Sequence, residues 1–235
     1  MSTYYKLLIT TSGIGSRLGE LTTYTNKALL KVDGRVIITS IIDSYDKDVP
    51  IVITLGWCGD QVKTYLLKNY VHRDITFITV DNYNGEGSGL AYSLNCAKDK
   101  LQCPFIFNSC DTIPGSHVRP ESYFHGEEVV NWIGICNVPV DCNYSKVITT
   151  DTCRLQQIIN KAQPCSNYYM DTYIALSYIH DYSDFWKATE QVLKSNIVSP
   201  CDTDIYEHMT SPIYTRTFPK WVDTGNVKSK EFITC

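Results

Sequence analysis

The sequence lacks the features of several common classes of protein. Its 235 residues carry 21 basic and 25 acidic side chains, a net charge of −4, so there is no basic excess with which to bind a nucleic acid. No run approaches the roughly 20 consecutive apolar residues that a membrane-spanning helix needs. Residues 1–6 run straight into a strand pattern without a signal peptide. We therefore expect a cytoplasmic protein that binds neither nucleic acid nor membrane.

The cysteines and histidines show no metal-binding spacing. The ten cysteines contain no Cys-x-x-Cys pair, which zinc knuckles use, and the five histidines have no ligand-like spacing. A disulfide framework is typical of short secreted chains. We therefore expect reduced thiols, most of them behaving as small buried hydrophobic residues.

The first hundred residues alternate strand and helix patterns. Runs rich in β-branched and aromatic residues predict parallel strands buried on both faces at 6–10, 50–55, 75–80 and 104–108. Apolar residues at helical spacing predict helices at 36–45, 60–70 and 88–100, with Ser88 as the cap of the last. This order predicts an α/β fold with a doubly wound, Rossmann-like sheet and right-handed crossovers.

The second half is richer in strands. Strands are predicted at 129–138, 145–150, 155–159, 169–179 and 213–218, and helices at 183–193 and 202–208. We expect a mixed, mainly parallel sheet with a strand-rich insertion over its carboxyl edge. No repeat or linker divides the chain, so a single domain is expected over 1–235.

A glycine-rich loop, beginning Thr11-Ser12-Gly13-Ile-Gly15-Ser-Arg17-Leu, follows the first strand and runs on to Lys27. Gly13 and Gly15 allow positive φ and let backbone N–H groups approach an anion closely, while Arg17 and Lys27 can neutralise a triphosphate. A dinucleotide fingerprint needs a third glycine where Leu18 stands, and a P-loop needs Gly-Lys-Ser/Thr before its helix, so neither fits. A lone Gly-x-Gly occurs at least as often in a plain turn as in a phosphate-binding loop.

The complete sequence of the glycine-rich loop resembles the signature of the sugar-phosphate and choline-phosphate nucleotidyltransferases. The matching residues are Gly13, Gly15, Arg17, Leu18, Thr22 and Lys27. The chain departs from the common pattern at Thr11 and Ser12, usually alanines, and at Glu20 and Asn26, usually prolines. The motif style is most similar to cytidylyltransferases of capsule loci that act on phosphoglutamine.

The resemblance assigns roles to residues along the whole chain. It implies that the backbone of Thr11, Ser12, Gly13 and Gly15 binds nucleotide, and that Arg17 and Lys27 act on the phosphates. In the segment 84–92 it implies recognition of base and ribose by Gly85, Gly87 and Ser88. Asp111, after the fourth strand, and Asp223, in Trp-Val-Asp-Thr-Gly, match the two Mg²⁺ ligands of the family. Lys161 matches the lysine that contacts the acceptor phosphate. The halves 1–112 and 113–235 would then bind nucleotide and acceptor respectively.

The implied reaction transfers NMP from an NTP, with CTP expected, to a phosphorylated small molecule for surface-polysaccharide or capsule precursors, and releases pyrophosphate. Homo-oligomerisation is possible. The main alternative is a hexose-1-phosphate uridylyl- or thymidylyltransferase. A glycosyltransferase of similar topology usually has Asp-x-Asp, and Ile113 stands where the second Asp would be. A silent nucleotide-sensing subunit is disfavoured by the retained Arg17, Lys27, Asp111 and Asp223.

Overall fold

The computed structural model describes residues 4–120, 124–125, 128–139, 143–159, 169–225 and 233–234. The strands, numbered along the chain, are β1 Lys6–Thr10, β2 Lys31–Val32, β3 Arg35–Val36, β4 Ile51–Leu55, β5 Ile75–Thr79, β6 Phe105–Ser109, β7 Thr112–Pro114, β8 Phe124–His125, β9 Glu128–Val129, β10 Asn131–Pro139, β11 Lys146–Thr149, β12 Leu155–Ile159, β13 Tyr169–Ile179, β14 Ile213–Thr217, β15 Trp221–Asp223 and β16 Ile233–Thr234. The α-helices are α1 Ile37–Ile42, α2 Gly59–Asn69, α3 Leu90–Cys96, α4 Tyr182–Lys194 and α5 Asp202–His208, and 3₁₀ helices cover Ser16–Thr22, Lys27–Leu29 and Lys98–Lys100.

The central sheet has the strand order β12-β11-β13-β6-β1-β4-β5; in addition β10 pairs with β13, and β14 pairs with β10. Strands β6, β1, β4 and β5 are parallel, and β13 runs antiparallel to β6. The later strands therefore extend the parallel core on one side. The predicted α/β fold, with a mixed sheet and a parallel centre, is confirmed.

Alternating side chains of the central strands divide the core into two layers. In β1, Leu7 and Ile9 pack into one hydrophobic cluster with α1 and α2, whereas Leu8 packs into the other with α3, α4 and α5. All three side chains are 0% exposed. Strands buried on both faces read as continuous apolar runs, which is why the sequence predicts them so closely.

Two helices are shorter than predicted. Helix α1 ends at Ile42 because the chain continues in i→i+3 turns, such as Tyr45 N–H to the Ile42 carbonyl. Helix α3 begins at Leu90 because Gly89 is extended against Pro200, whose carbonyl oxygen accepts a bond from Ala91 N–H. The prediction that Ser88 caps α3 is wrong: its hydroxyl donates instead to the Gly85 carbonyl, at 2.6 Å.

The cysteines of the described residues are all free thiols. Only Cys110 and Cys136 among them are buried, whereas Cys153 is exposed and the others are half-buried, so the expectation that most are buried is wrong. Among the described residues, no helix is long and apolar enough to cross a membrane.

Candidate active site

The glycine-rich loop starts at the end of β1 and is shaped by one left-handed glycine. Gly15 has φ +70°, a conformation that strains residues with a side chain. A Cβ at this position would also lie 3.1 Å from Cγ2 of Thr22, in the returning part of the loop. Gly13 does not adopt positive φ, but a Cβ built there meets nothing within 4 Å, so this glycine leaves open space. The loop closes tightly at Gly15 and stays open at Gly13.

The two cations of the loop converge on one carboxylate. Lys27 is 7% exposed, and its Nζ forms an ion pair with Oδ1 of Asp111. Nη2 of Arg17 lies 3.5 Å from Oδ2 of the same carboxylate, although the Arg17 side chain is 61% exposed. The structure thus brings together three predicted site residues, of which Asp111 lies 84 positions after Lys27. Opposite charges at this spacing hold the middle and the far end of the loop at the end of β6.

The second predicted carboxylate lies beside the first. Strand β15 pairs antiparallel with β7, which sets Asp223 opposite Thr112, the residue after Asp111. The Asp223 carboxylate accepts hydrogen bonds from the Tyr144 hydroxyl at 3.0 Å and from Gly225 N–H at 2.7 Å. A Cβ on Gly225 would collide with the Asp111 carboxylate, so a larger residue there would force that carboxylate to move. The Asp-Thr-Gly sequence therefore has a steric reason for its glycine.

The turn that carries Asp111 is fixed by residues that sequence reasoning missed. Asn108 is 0% exposed; its Oδ1 accepts from the Tyr45 hydroxyl at 2.6 Å, and its Nδ2 donates to the Thr112 carbonyl at 2.8 Å. Thr224 N–H donates to the Asp111 carbonyl at 2.8 Å. In the sequence, the signal for this role was a polar residue, Asn108, at the end of the apolar run of β6. These bonds hold the Asp111 backbone from both sides.

Two cavities meet at the Asp111 carboxylate. The smaller, about 180 Å³, is lined by the glycine-rich loop, and it includes the predicted residues Thr11, Gly13, Gly15, Arg17, Lys27 and Asp111. The larger, about 560 Å³, includes Asp223 in its wall and shares Arg17 and Asp111 with the smaller one. A group bound in one cavity therefore approaches a group bound in the other at this ion cluster.

The larger cavity has an aromatic wall and an acidic wall. Tyr144 and Trp221 pack edge to face with ring centroids 5.1 Å apart. On another side, the Tyr173 hydroxyl donates to the buried carboxylate of Asp202 at 2.5 Å and lies 3.1 Å from the Tyr206 hydroxyl. Sequence reasoning missed this cluster, because its members are scattered over the second half of the chain.

Burial controls the protonation of the groups around the cavities. Burial raises the pKa of Tyr173 and of Tyr206 well above the usual value, and the negative charge of Asp202 raises both further. Both phenols therefore keep their protons at neutral pH and act as hydrogen-bond donors. Burial also raises the pKa of the Cys110 thiol, beside Asp111, to about 12, so this cysteine is no nucleophile.

The remaining predicted nucleotide-binding residues do not line these two cavities. Ser12 is 4% exposed, and its hydroxyl lies 2.9 Å from that of Ser93, which joins the glycine-rich loop to helix α3. Gly85 and Gly87, both with positive φ, and Ser88 form a turn on the surface before α3. Their roles stay predictions. Lys161 lies outside the described residues.

The donor atoms at Asp111 and Asp223 fit a magnesium ion. Mg²⁺ prefers oxygen ligands and is held in proteins by one or two carboxylates together with water and substrate phosphates. Two carboxylates, one directly before β7 and one at the end of its partner β15, beside a cavity with a basic wall, match that need. Over the described ranges, no group of three or more His, Cys, Asp or Glu side chains could hold a metal ion. Substrate oxygens would have to complete the ligand shell.

The chain shares its fold with solved structures of a cytidylyltransferase and a sugar-nucleotide pyrophosphorylase. CTP:phosphocholine cytidylyltransferase from Streptococcus pneumoniae (LicC) is 18% identical with a TM-score of 0.73, over 97% of this chain and 96% of that one. HddC from Yersinia pseudotuberculosis is 15% identical with a TM-score of 0.71, over 97% and 96%. A UDP-glucose pyrophosphorylase is 13% identical with a TM-score of 0.74, over 98% and 96%.

No protein-family model matches the sequence, and no curated protein sequence matches it. The structural likenesses extend over nearly the whole chain, but at 13 to 18% identity they establish the fold alone. The resemblance to nucleotidyltransferases drawn from the motifs is thereby confirmed at the level of the fold.

Proposed function

We propose that the protein is a Mg²⁺-dependent nucleotidyltransferase that transfers NMP from an NTP to a phosphorylated small molecule and releases pyrophosphate. The observation that carries the proposal is the ion cluster of Lys27, Arg17 and Asp111, with Asp223 beside it, at the junction of two cavities. Cations and carboxylates concentrated between two binding spaces are what phosphoryl-group transfer requires, because its catalysis rests on positioning and charge stabilisation.

The smaller cavity binds the triphosphate of the NTP. Its volume of about 180 Å³ is below the roughly 300–1,000 Å³ of ordinary ligand pockets, so it holds phosphates and not the whole nucleotide. Open backbone at Gly13 and the cations Arg17 and Lys27 supply the contacts that phosphate oxygens need. The base and ribose then extend past the loop, and we assign their recognition to Gly85, Gly87 and Ser88.

The larger cavity binds the phosphorylated acceptor. Its volume of about 560 Å³ suits a small metabolite, and it opens onto Arg17 and Asp111, where the acceptor phosphate must lie to react. Most of its wall comes from the second half of the chain, which supports the division into a nucleotide half, 1–112, and an acceptor half, 113–235. Lys161 is assigned to the acceptor phosphate by the motif resemblance alone.

The reaction is an in-line displacement in which an acceptor phosphate oxygen attacks the α-phosphorus of the NTP and pyrophosphate leaves. A phosphate monoester is already anionic near pH 7, so no general base is required of the protein. Lys27 and Arg17 offset the negative charge that builds up on the reacting and departing phosphates. Asp111 and Asp223 would hold Mg²⁺, which supplies Lewis-acid stabilisation when bound.

Cytosine is our choice of base, and a surface-polysaccharide or capsule precursor our choice of product. The choice rests on the motif resemblance to capsule-locus cytidylyltransferases and on the shared fold of a protein named for CTP and phosphocholine. A hexose-1-phosphate uridylyltransferase is the second candidate, since a UDP-glucose pyrophosphorylase has the same fold. Homo-oligomerisation remains a prediction.

The test is pyrophosphate release from each of four NTPs with sugar, choline, glycerol and amino-acid phosphates, with Mg²⁺ and with EDTA. One pairing should give turnover that EDTA abolishes. Asp223→Asn should lower kcat about 100-fold or more, the loss expected for one preorganised electrostatic group. Asp99→Asn, an exposed carboxylate in the 3₁₀ helix before β6, is the matched control and should keep wild-type activity. Full turnover in EDTA, or a fully active Asp223→Asn, would refute the metal assignment.

A further inference from the structure

The returning part of the glycine-rich loop, residues 22–27, is fastened to the turn between β4 and α2 and to the first turn of α2. Trp57 Nε1 donates to the Thr22 carbonyl at 3.0 Å, and Gln61 Nε2 donates to the Tyr24 carbonyl at 2.8 Å. These contacts cross 35 and 37 residues of sequence. Side-chain donors in the turn after β4 and in α2 thus hold the backbone of a segment that belongs to no strand before β2.

Asn26 is the innermost of these attachments and is 1% exposed. Its Nδ2 donates to the Thr11 carbonyl at 2.9 Å and to the Trp57 carbonyl at 2.5 Å, which ties together the ends of β1 and β4. Its Oδ1 accepts from Ala28 N–H at 2.9 Å and so caps the 3₁₀ helix that begins at Lys27. One amide side chain therefore connects both strand ends to the residue next to the buried lysine.

We propose that Asn26 is a positioning residue that fixes the Lys27 ammonium at the junction of the two cavities. The inference rests on the proposed function, because Lys27 matters to a reaction only if one occurs there. A lysine side chain has four rotatable bonds, so its amine can be held in place only if its backbone is held as well. Asn26 does this through bonds that share no atom with the substrate.

The bonds of Asn26 make its loss different from a simple cavity mutation. Removing the amide leaves the buried carbonyls of Thr11 and Trp57 without this donor, and it removes the cap from the helix of Lys27. The loop would then shift where it carries the cation. Displacements of about 1 Å at a catalytic group can cost on the order of 100-fold in rate.

A purely structural role predicts something else, and the chain contains a matched control. Asn131 is 0% exposed at the start of β10, and its side chain bonds to Asp181, Pro212 and the backbone of His180. These contacts lie by the end of β13 that pairs with Phe105, at the opposite edge of the sheet from Asp111. Asn131→Ala therefore removes an equally buried, multiply bonded asparagine far from the cavities.

The first readout is kinetic. Asn26→Ala should lower kcat roughly tenfold or more while the KM for the acceptor changes less than about twofold, because the acceptor cavity is not touched. In a Lys27→Ala background the same change should cost little further rate, since both mutations act through one ammonium. Asn131→Ala should lower the melting temperature without lowering kcat. If the fold-losses in kcat of the two single variants multiply in the double variant, the proposal is overturned.

The second readout needs no turnover. Native protein is treated briefly with acetic anhydride, and acetylation of each lysine is measured by mass spectrometry, with exposed Lys63 as the internal reference. We expect slow labelling of Lys27 in the wild type and in Asn131→Ala, and labelling at least several-fold faster in Asn26→Ala. If Asn26→Ala does not fold, Asn26→Ser, which retains a helix cap, replaces it.

The two readouts separate the possible failures. Unchanged labelling of Lys27 in the Asn26 variants, or an equal increase in Asn131→Ala, would overturn the positioning role. Selective exposure of Lys27 in a protein that transfers no nucleotide would support the positioning role and refute the proposed function instead.

Discussion

Lys27→Ala is the most direct perturbation of the site. The side chain is 8% exposed and ion-paired to Asp111, so it cannot be replaced by water or by a neighbouring cation without rearrangement. In the proposed reaction its charge faces the phosphorus that is transferred, where negative charge builds up. A preorganised group of this kind contributes more in the transition state than in the ground state.

The expected loss follows from removing one such group. Deleting a single preorganised charge-stabilising donor costs about 100- to 1,000-fold in kcat, or about 3 to 4 kcal/mol. Arg17 could offset part of this loss, but its 61% exposed side chain lies 3.5 Å from the other Asp111 oxygen and is better screened by solvent. We therefore expect kcat to fall by roughly 100-fold or more, with a smaller change in the KM for NTP.

The assay is steady-state pyrophosphate release at saturating NTP and acceptor. Lys187→Ala, on the exposed side of α4, is the matched control and should behave as wild type. Arg17→Ala should instead raise the apparent KM for NTP at least as much as it lowers kcat, since its contact with the phosphates already exists in the bound ground state. A kcat for Lys27→Ala within twofold of wild type would refute the mechanism.

Three further variants or probes test the surroundings of the site. Gly225→Ala should abolish most activity, because its Cβ would displace the Asp111 carboxylate; wild-type kcat would contradict this. Tyr144→Phe should raise the Mg²⁺ concentration needed for half-maximal rate, because the Asp223 carboxylate loses its 3.0 Å donor; an unchanged requirement would argue against this role. Cys110 should resist iodoacetamide at pH 8 in the native protein and react after unfolding, because burial raises its pKa to about 12. Mass spectrometry measures the labelling, and labelling of Cys110 in the native protein would contradict this prediction.

The parts of the fold and site that depend on local pattern could be predicted from the sequence. The strands β1, β4, β5 and β6 appear as apolar runs, and their observed limits lie within one residue of those predicted. The expectation of burial on both faces holds for β1, β4 and β6 but is wrong for β5, which is half-buried because it is the edge strand of the sheet. The loop cations Arg17 and Lys27 belong to a spacing pattern that can be recognised in the sequence alone. Asp111 was predictable because doubly wound sheets place functional groups where their parallel strands end.

The parts that depend on contacts between distant residues could not be predicted. Asn108 looks like a strand terminus in the sequence, yet it joins Tyr45 to the backbone that carries Asp111. Asn26 stands where the signature that the loop resembles usually has proline, and its φ of −66° is one that proline would also adopt. The sequence shows only that asparagine stands in place of proline, whereas the hydrogen bonds of Asn26 to Thr11 and Trp57 give this replacement a physical reason.

The charge arrangement around Asp111 has a consequence for the binding of metal and NTP. The charge of the buried Lys27 is compensated by the Asp111 carboxylate, which Arg17 also approaches. Triphosphate oxygens entering the smaller cavity would compete for both cations, and this would release the carboxylate for a divalent ion beside Asp223. Metal and NTP should therefore bind cooperatively. Calorimetric titration of NTP with Mg²⁺ and with EDTA should show at least tenfold tighter binding with the metal, and equal affinities would contradict this coupling.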